Sequence, residues 1–280
     1  MRISVTHSTV YHYDSPVHLE PHTFRLKPRQ DAAQRLLQYQ IGIVPVPMGS
    51  VECLDQDGNV VVEAWFDTPT TELSVATSFT VETLRENPFD FLLTPPALAL
   101  PIDYPASLGQ ALASYRAPGE VPAGVRQLAD RAVSESGGRP MAFLNALNET
   151  LYGSFGHAVR EHGPPNEAEV TVQLGEGSCR DLTVLFCAAA RAVGIAARFV
   201  SGYEREAAFE ERGEMHAWAE VYLPGGGWRG YDPSRGLAVA TSHVAVAAAA
   251  DSRLASPVSG TYRGQARSSM DFAIALQANG

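Results

Sequence analysis

Three residue types that together perform acyl transfer stand in chain order at Cys179, His216 and Asp232. The cysteine lies in Gly177-Ser178-Cys179-Arg180-Asp181, followed by Leu182, Leu185, Phe186, Ala189 and Val193. These apolar positions fall on one face of a helix. Gly177 or Ser178 can begin that helix and Gly194 can end it, with Asp181 and Arg191 placed to suit its dipole. Cys179 then occupies the first turn. Unpaired backbone N–H groups there favour a thiolate, the reactive form of the residue. The same N–H groups suit the oxyanion of a tetrahedral intermediate.

A base and a group to orient it are expected on the strands that follow. Ile195 to Tyr203 is an apolar run of buried-strand character. Met215 to Leu223 reads as a second strand, turned by Pro224-Gly225-Gly226-Gly227, and Trp228 to Tyr231 as its return, ending at Asp232-Pro233-Ser234. His216 opens one arm of this hairpin and Asp232 closes the other. A simple register misses a direct pairing by about three residues, so a bulge or a longer turn is expected to correct the offset. One imidazole nitrogen would then meet Asp232 and the other Cys179.

The remaining candidates have plainer readings. Cys187 follows Cys179 by two helical turns among alanines, and Cys53 lies between apolar strand residues, so both read as core. Trp218 and Trp228 read as sheet packing, and Arg180 and Asp181 as helix-capping or supporting groups. The acidic run Glu204 to Glu214 reads as a solvated loop beside the histidine strand. His157 and His162 share no ligand spacing with the cysteines, so no metal site is expected. No cofactor is expected either. A thiol redox role would need a resolving cysteine, and Cys187 lies about 12 Å along the helix from Cys179 at a rise of about 1.5 Å per residue.

The elements that must position these residues divide the chain. Residues 1–86 read as all-β. Ile3, Val5, Thr9, Tyr11 and Tyr13 share one parity, as do Leu73, Val75, Phe79 and Val81, and Asp57-Gly58-Asn59 turns into Val60-Val61-Val62. Six prolines between Pro16 and Pro69 leave room for short strands, and an antiparallel sandwich-like domain follows. Residues 87–105, with Pro88, Pro95, Pro96, Pro101 and Pro105, read as a linker. Residues 106–240 form a core with helices expected from Ser107 to Tyr115, Pro122 to Ser136 and Pro140 to Tyr152. Residues 241–280 are an Ala- and Ser-rich tail with a last strand at Phe272 to Leu276. The fold class is α+β.

Composition limits the function. In 280 residues, 45% are apolar and 19% charged, enough for a buried core and too few charges for a disordered chain. A net charge of −10 without a basic cluster argues against nucleic acid or an anionic membrane as partner. The first residues lack the apolar stretch of a secretion signal, and three cysteines give no disulfide framework, so a cytoplasmic location is expected.

Four blocks, Gly-Ser-Cys-Arg-Asp-Leu at 177–182, Ala-Arg-Phe-Val-Ser-Gly-Tyr at 197–203, Met-His-Ala-Trp-Ala-Glu-Val-Tyr at 215–222 and Gly-Trp-Arg-Gly-Tyr-Asp-Pro-Ser at 227–234, resemble the bacterial transglutaminase-like family in order and spacing. The resemblance implies a papain-like transglutaminase core, helices packed on an antiparallel sheet, behind a β-rich N-terminal region. It maps a Cys–His–Asp triad onto Cys179, His216 and Asp232. It also makes Gln173, six residues before the nucleophile, a candidate oxyanion donor beside its plainer reading as a polar loop residue. Ser234 stands where Thr is common in the family. The implied activity is acyl transfer from a peptide or glutamine-type amide through a thioester, ending on water (protease or amidase) or on an amine acceptor (transglutaminase). A catalytically silent binding module on the same fold is the alternative.

Overall fold

A computed structural model describes residues 1–117, 119–160, 163–205 and 214–279. The N-terminal region contains β1 (Arg2–Leu19), β2 (His22–Phe24), β3 (Gln34–Val44), β4 (Gly49–Leu54), β5 (Val60–Trp65) and β6 (Thr70–Thr83). β1 pairs antiparallel with β6, and β6 with β3. β2, β5 and β4 form a second antiparallel sheet. Strand alternation is legible in burial, since Ile3, Val5, Tyr13 and Val17 of β1 all point inward. That single apolar face serves two partners. Tyr13, Val17, Leu19, Leu73 and Val75 pack on Phe24, Val62 and Ala64 of the second sheet. Ile3, Val5, Phe79 and Val81 pack instead on the core that follows. Sandwich packing therefore covers only half of the face. β4 is the outer strand of its sheet, and Cys53 on it is exposed, which corrects the expected core role. An outer strand with Val51 and Leu54 also exposed gives an apolar neighbourhood in sequence but not in space.

The expected linker, 87–105, is a strap laid on the core. Ile102 and Tyr104 are buried, and the Tyr104 hydroxyl donates to the Tyr222 carbonyl at 2.8 Å while accepting from the Ala196 N–H at 3.0 Å. The helices are α1 (Ala106–Ala111), α2 (Ala113–Arg116), α3 (Ala123–Ser136) and α4 (Pro140–Ser154). The single helix expected near Ser107 is thus two, separated at the buried Leu112. α3 ends on Gly137 at φ +60°, the left-handed cap that glycine supplies. Then come β7 (Gly156–His157), α5 (Ala168–Leu174), β8 (Glu176–Gly177) and α6 (Cys179–Ala192), with β7 and β8 paired in parallel. Leu182, Leu185, Phe186 and Ala189 of α6 are buried as the helical spacing requires, and Gly194 at φ +85° follows its end.

The core sheet contains β9 (Ala197–Glu204), β10 (Met215–Leu223), β11 (Gly227–Asp232), β12 (Leu237–Ala238) and β13 (His243–Ala249), ordered β12-β11-β10-β9-β13 and antiparallel throughout. The helices, α6 foremost, pack on it with Phe186, Ala219, Val221 and Tyr231 in one apolar cluster. The N-terminal sheet covers part of it through Tyr203, Val244 and Val246. All seven residues of β13 are buried, which explains its run of small apolar residues without alternation.

The chain then returns to its beginning through β14 (Val258–Ser259), β15 (Tyr262–Arg263) and β16 (Ser268–Asn279). β16 pairs with β1 along its length, from Arg2↔Asn279 to Tyr13↔Ser268. The expected tail at 241–280 is therefore not a separate unit. Its first part completes the core sheet and its last strand completes the N-terminal sheet. The strand is longer than the expected Phe272–Leu276 because pairing to β1, not apolarity, sets its ends. Among the described residues no helix is long and apolar enough to cross a membrane.

Candidate active site

α6 begins where it does because its cap is fixed from two directions. Asp181 is buried, and its Oδ2 accepts the Ser178 N–H at 2.8 Å and the Ser178 hydroxyl at 2.8 Å. Its Oδ1 accepts the Asn166 N–H at 2.6 Å and the Arg160 guanidinium at 3.0 Å. This is a capping box with a second, tertiary half. Arg180 adds hydrogen bonds to the carbonyls of Gly163 and Arg160. The sequence reading of Arg180 and Asp181 as supporting groups agrees with these contacts. Cys179 is left at the first helical position, partly exposed, with the helix's unpaired N–H groups beside it.

The histidine and aspartate meet without a bulge. The β10–β11 ladder runs regularly from Leu223↔Gly227 to Ala219↔Tyr231. Continued one step, it sets Asp232 opposite Trp218, two residues from His216 and on the same face. The His216 Nε2–H donates to Asp232 Oδ2 at 2.6 Å. Cys179 acts on the same ring, and the two residues open on one cleft. Burial alone would lower the His216 pKa, but the hydrogen bonds and charges of Asp232 and Cys179 outweigh it and raise the value to about 10. Burial likewise opposes ionisation of Asp232, yet hydrogen bonds from His216 and His243 hold its carboxyl well below the usual range. The structure thus brings Cys179, His216 and Asp232 together, without the bulge that the spacing led one to expect.

Asp232 has further partners. Its Oδ1 accepts the Ser234 N–H at 3.0 Å, the Ser234 hydroxyl at 2.8 Å and the Arg235 N–H at 3.1 Å. Ser234, the departure from the family pattern, thus supplies a hydroxyl to the carboxylate. His243 of β13 reaches Oδ2 through its Nε2 at 3.0 Å. Glu204, paired with Arg235, lies 3.7 Å from His216 Nε2. His243 escaped the sequence reading, since it stands at the head of an alanine run and no spacing ties it to Asp232; Glu204, expected to open a solvated loop, instead ends β9 with its side chain 9% exposed. The donor atoms of Glu204, His216, Asp232 and His243 lie within 4.8 Å of one another, a set of metal-ligating type at a place where none was expected.

Cys179 and His216 open on a cleft of about 260 Å³. One wall is the segment around His157 and Pro164, a second is the start of α6 and the ends of β9 and β10, and a third is the N-terminal sheet, through Tyr11, Met270 and Phe272. His157 is an exposed part of the first wall, whereas His162, and residues 206–213 of the expected acidic loop, lie outside the described residues. Gln173 does not join the site. It is exposed on α5 and is not among the cleft-lining residues, because that helix packs Ala168 and Thr171 inward and turns Gln173 to solvent. Cys187 is buried on α6, and burial pushes its thiol up to about 11, as befits a core residue. Trp218 is buried among Val200, Ala245 and Ala248, and the Trp228 ring stacks under the Arg198 guanidinium, so both serve packing.

A cysteine on a helix N-terminus facing a histidine and aspartate on an antiparallel sheet is the papain-like arrangement. Residues 3–82 match the bacterial transglutaminase-like N-terminal region, and residues 126–233 match the transglutaminase-like superfamily. Together the two matches span about two thirds of the chain, and over them it is similar to the bacterial transglutaminase-like family. It is similar to the uncharacterized protein ML0607 of Mycobacterium leprae, 25% identical with 98% of each chain covered. It is also similar to the uncharacterized protein Rv2569c of Mycobacterium tuberculosis, 27% identical over 98% of this chain and 91% of that one. Among solved structures it shares its fold with a Cytophaga hutchinsonii protein proposed to be a cysteine protease. That likeness has a TM-score of 0.72 and 21% identity, over 100% of this chain and 92% of the other.

Proposed function

We propose that the protein is a cysteine-dependent acyl-transfer enzyme acting on peptide or glutamine-type amides. The observation that carries this reading is the His216 ring, hydrogen-bonded to Asp232 and opening together with Cys179 on one cleft. With its pKa raised, His216 is protonated at neutral pH and forms an ion pair with a Cys179 thiolate. The thiolate adds to the amide carbonyl, and the Cys179 backbone N–H holds the oxyanion. His216 gives its proton to the leaving amine, leaving a thioester. His216 then takes a proton from water or from an acceptor amine as that nucleophile attacks, and the thiolate returns. Water makes the enzyme a protease or amidase; an amine makes it a transglutaminase.

Incubation with a glutamine-containing peptide library, with and without a primary amine, tests the reading by mass spectrometry. Cleavage, deamidation and transamidation each leave a distinct mass. Cys179→Ala should lose about 10⁴-fold or more of the rate, the scale on which removal of a nucleophile acts. Full turnover by that variant would sink the mechanism. A second readout needs no substrate. Iodoacetamide at mildly acidic pH should label Cys179 far faster than an exposed thiol without a histidine beside it. Cys53 supplies that exposed comparison within the same chain, and buried Cys187 should stay unlabelled.

A further inference from the structure

Asp232 is fully buried, and its carboxylate oxygens are filled by donors from three directions. Oδ1 takes the turn that follows, through Ser234 and the Arg235 N–H. Oδ2 takes His216 at 2.6 Å and His243 at 3.0 Å. A carboxylate can only accept, so His243 must carry its proton on Nε2. Its Nδ1, 2.9 Å from the Ser242 hydroxyl, is then free to accept that O–H. Both ring nitrogens of His243 thus have a partner.

The fold makes room for this histidine at some expense. β10 and β9 both lie between β11 and β13, so His243 must reach past two strands to meet Asp232. On β9, Gly202 stands opposite both His216 and Ala245. A Cβ there would clash with the Val244 carbonyl oxygen and lie 2.7 Å from the Trp218 ring. Trp218 in turn meets the His243 ring edge-on, with centroids 5.0 Å apart and planes at 78°. The ring is therefore held by packing as well as by hydrogen bonds. It is 3% exposed and does not line the cleft, so it touches no substrate. Among the described residues, the other ionisable groups beside this cluster are Glu204, paired with Arg235, and Cys179 near His216.

We infer that His243 is a positioning residue, a fourth member behind the triad that fixes Asp232 Oδ2 toward His216. The inference rests on the proposed cysteine mechanism. Without His243, Oδ2 keeps one donor in a dry site, and a buried acceptor left short of partners rotates or draws in water. His216 then loses its fixed orientation toward Cys179, although no catalytic atom has been removed.

The test compares wild type with His243→Ala, His243→Gln and Ser242→Ala. For each, the pH profile of Cys179 alkylation, kcat and KM on a peptide found active, and the melting temperature are measured. His243→Ala should lower kcat by roughly 10- to 100-fold with little change in KM, the scale on which mispositioning acts. It should also move the acid limb of the alkylation profile to higher pH, because a displaced Asp232 supports the imidazolium less well. His243→Gln, whose amide N–H reaches the same oxygen, should recover most of both effects. Ser242→Ala should shift the limb in the same direction by less, and stands in if His243→Ala does not fold. An acid limb unmoved in His243→Ala, or melting losses in all three variants with an unmoved limb, overturns the inference and leaves packing as the role. Purified protein that holds one zinc ion, lost in His243→Ala, overturns it too, in favour of metal ligation. A wild-type profile with no acid-stable limb points elsewhere, to failure of the cysteine mechanism itself.

Discussion

Asp232 sits diagonally across a regular antiparallel ladder from His216, and the two side chains join at 2.6 Å. The pair titrates in opposite senses, which sets how stability depends on pH. The His216 pKa stands at about 10, above an unfolded value of about 6.5. Its contribution is whole below about pH 6.5 and is lost as pH climbs toward about 10. Asp232 is held below the usual carboxylate range, so its contribution is whole above about pH 4 and is lost only in stronger acid. Thermal melting of wild type should therefore decline on the alkaline side across that window, and His216→Ala should flatten the decline. Equal alkaline slopes in the two proteins would contradict the coupling.

The cap of the nucleophile helix should carry a large share of local stability. Asp181 is a buried carboxylate with four partners, among them the N–H groups of Ser178 and Asn166. Asp181→Ala orphans both donors and removes the carboxylate from Arg160, which keeps its bonds to Asn166 and the Pro164 carbonyl. A loss of about 3 kcal/mol is expected, at the lower end for breaking a buried pair. Urea unfolding measures it, and a change below about 1 kcal/mol would mean that the loop carrying Asn166 relaxes freely.

These two sites differ in how far the sequence reveals them. α6 was legible to within a residue or so because everything that defines it is local: Ser178 and Asp181 at the start, Leu182, Leu185, Phe186 and Ala189 on one face, and Gly194 at the end. The meeting of His216 and Asp232 was legible as a hairpin but not as a distance. A register two residues off direct pairing suffices, because side chains on one face reach diagonally. That register is set by the turn at Pro224-Gly225-Gly226, where Gly225 at φ +95° sits so close to the Leu92 carbonyl that no Cβ fits. Leu92 belongs to the strap, some 130 residues earlier in sequence, and no local pattern announces the contact. His243 was illegible for a related reason. Alternation disappears in a strand buried on both faces, so one histidine before Val-Ala-Val-Ala-Ala-Ala shows neither its face nor its partner. Cys53 misled in the opposite way, since its apolar neighbours belong to an outer strand.

Gly202 offers a sharp test of how the core sheet closes. Any side chain there runs into the backbone of β13 and the ring of Trp218. Gly202→Ala should cost about 3 kcal/mol, the upper range for overpacking, and should disturb His243 as well. Gly42→Ala on β3, where an added Cβ meets nothing within 4 Å, should stay within about 0.5 kcal/mol of wild type. Equal effects at the two glycines, read from denaturant unfolding, would show that β9 and β13 can separate without penalty.

The N-terminal sheet should act on substrate binding rather than on chemistry. Phe272 of β16, opposite Thr9 of β1, lines the cleft but lies on a different sheet from the triad. Truncation to alanine removes apolar surface that a bound peptide would cover and leaves His216 and Asp232 untouched. Losing about 1.4 kcal/mol of contact, near the lower bound for burying such a side chain, corresponds to about a tenfold rise in KM. The kcat and the pH profile of Cys179 alkylation should remain those of wild type, because the interaction lost is made equally in ground and transition states. An unchanged KM would remove the sheet from the binding site. A fall in alkylation rate would instead assign it to holding the core in shape, as its packing on Tyr203 and Val244 also allows.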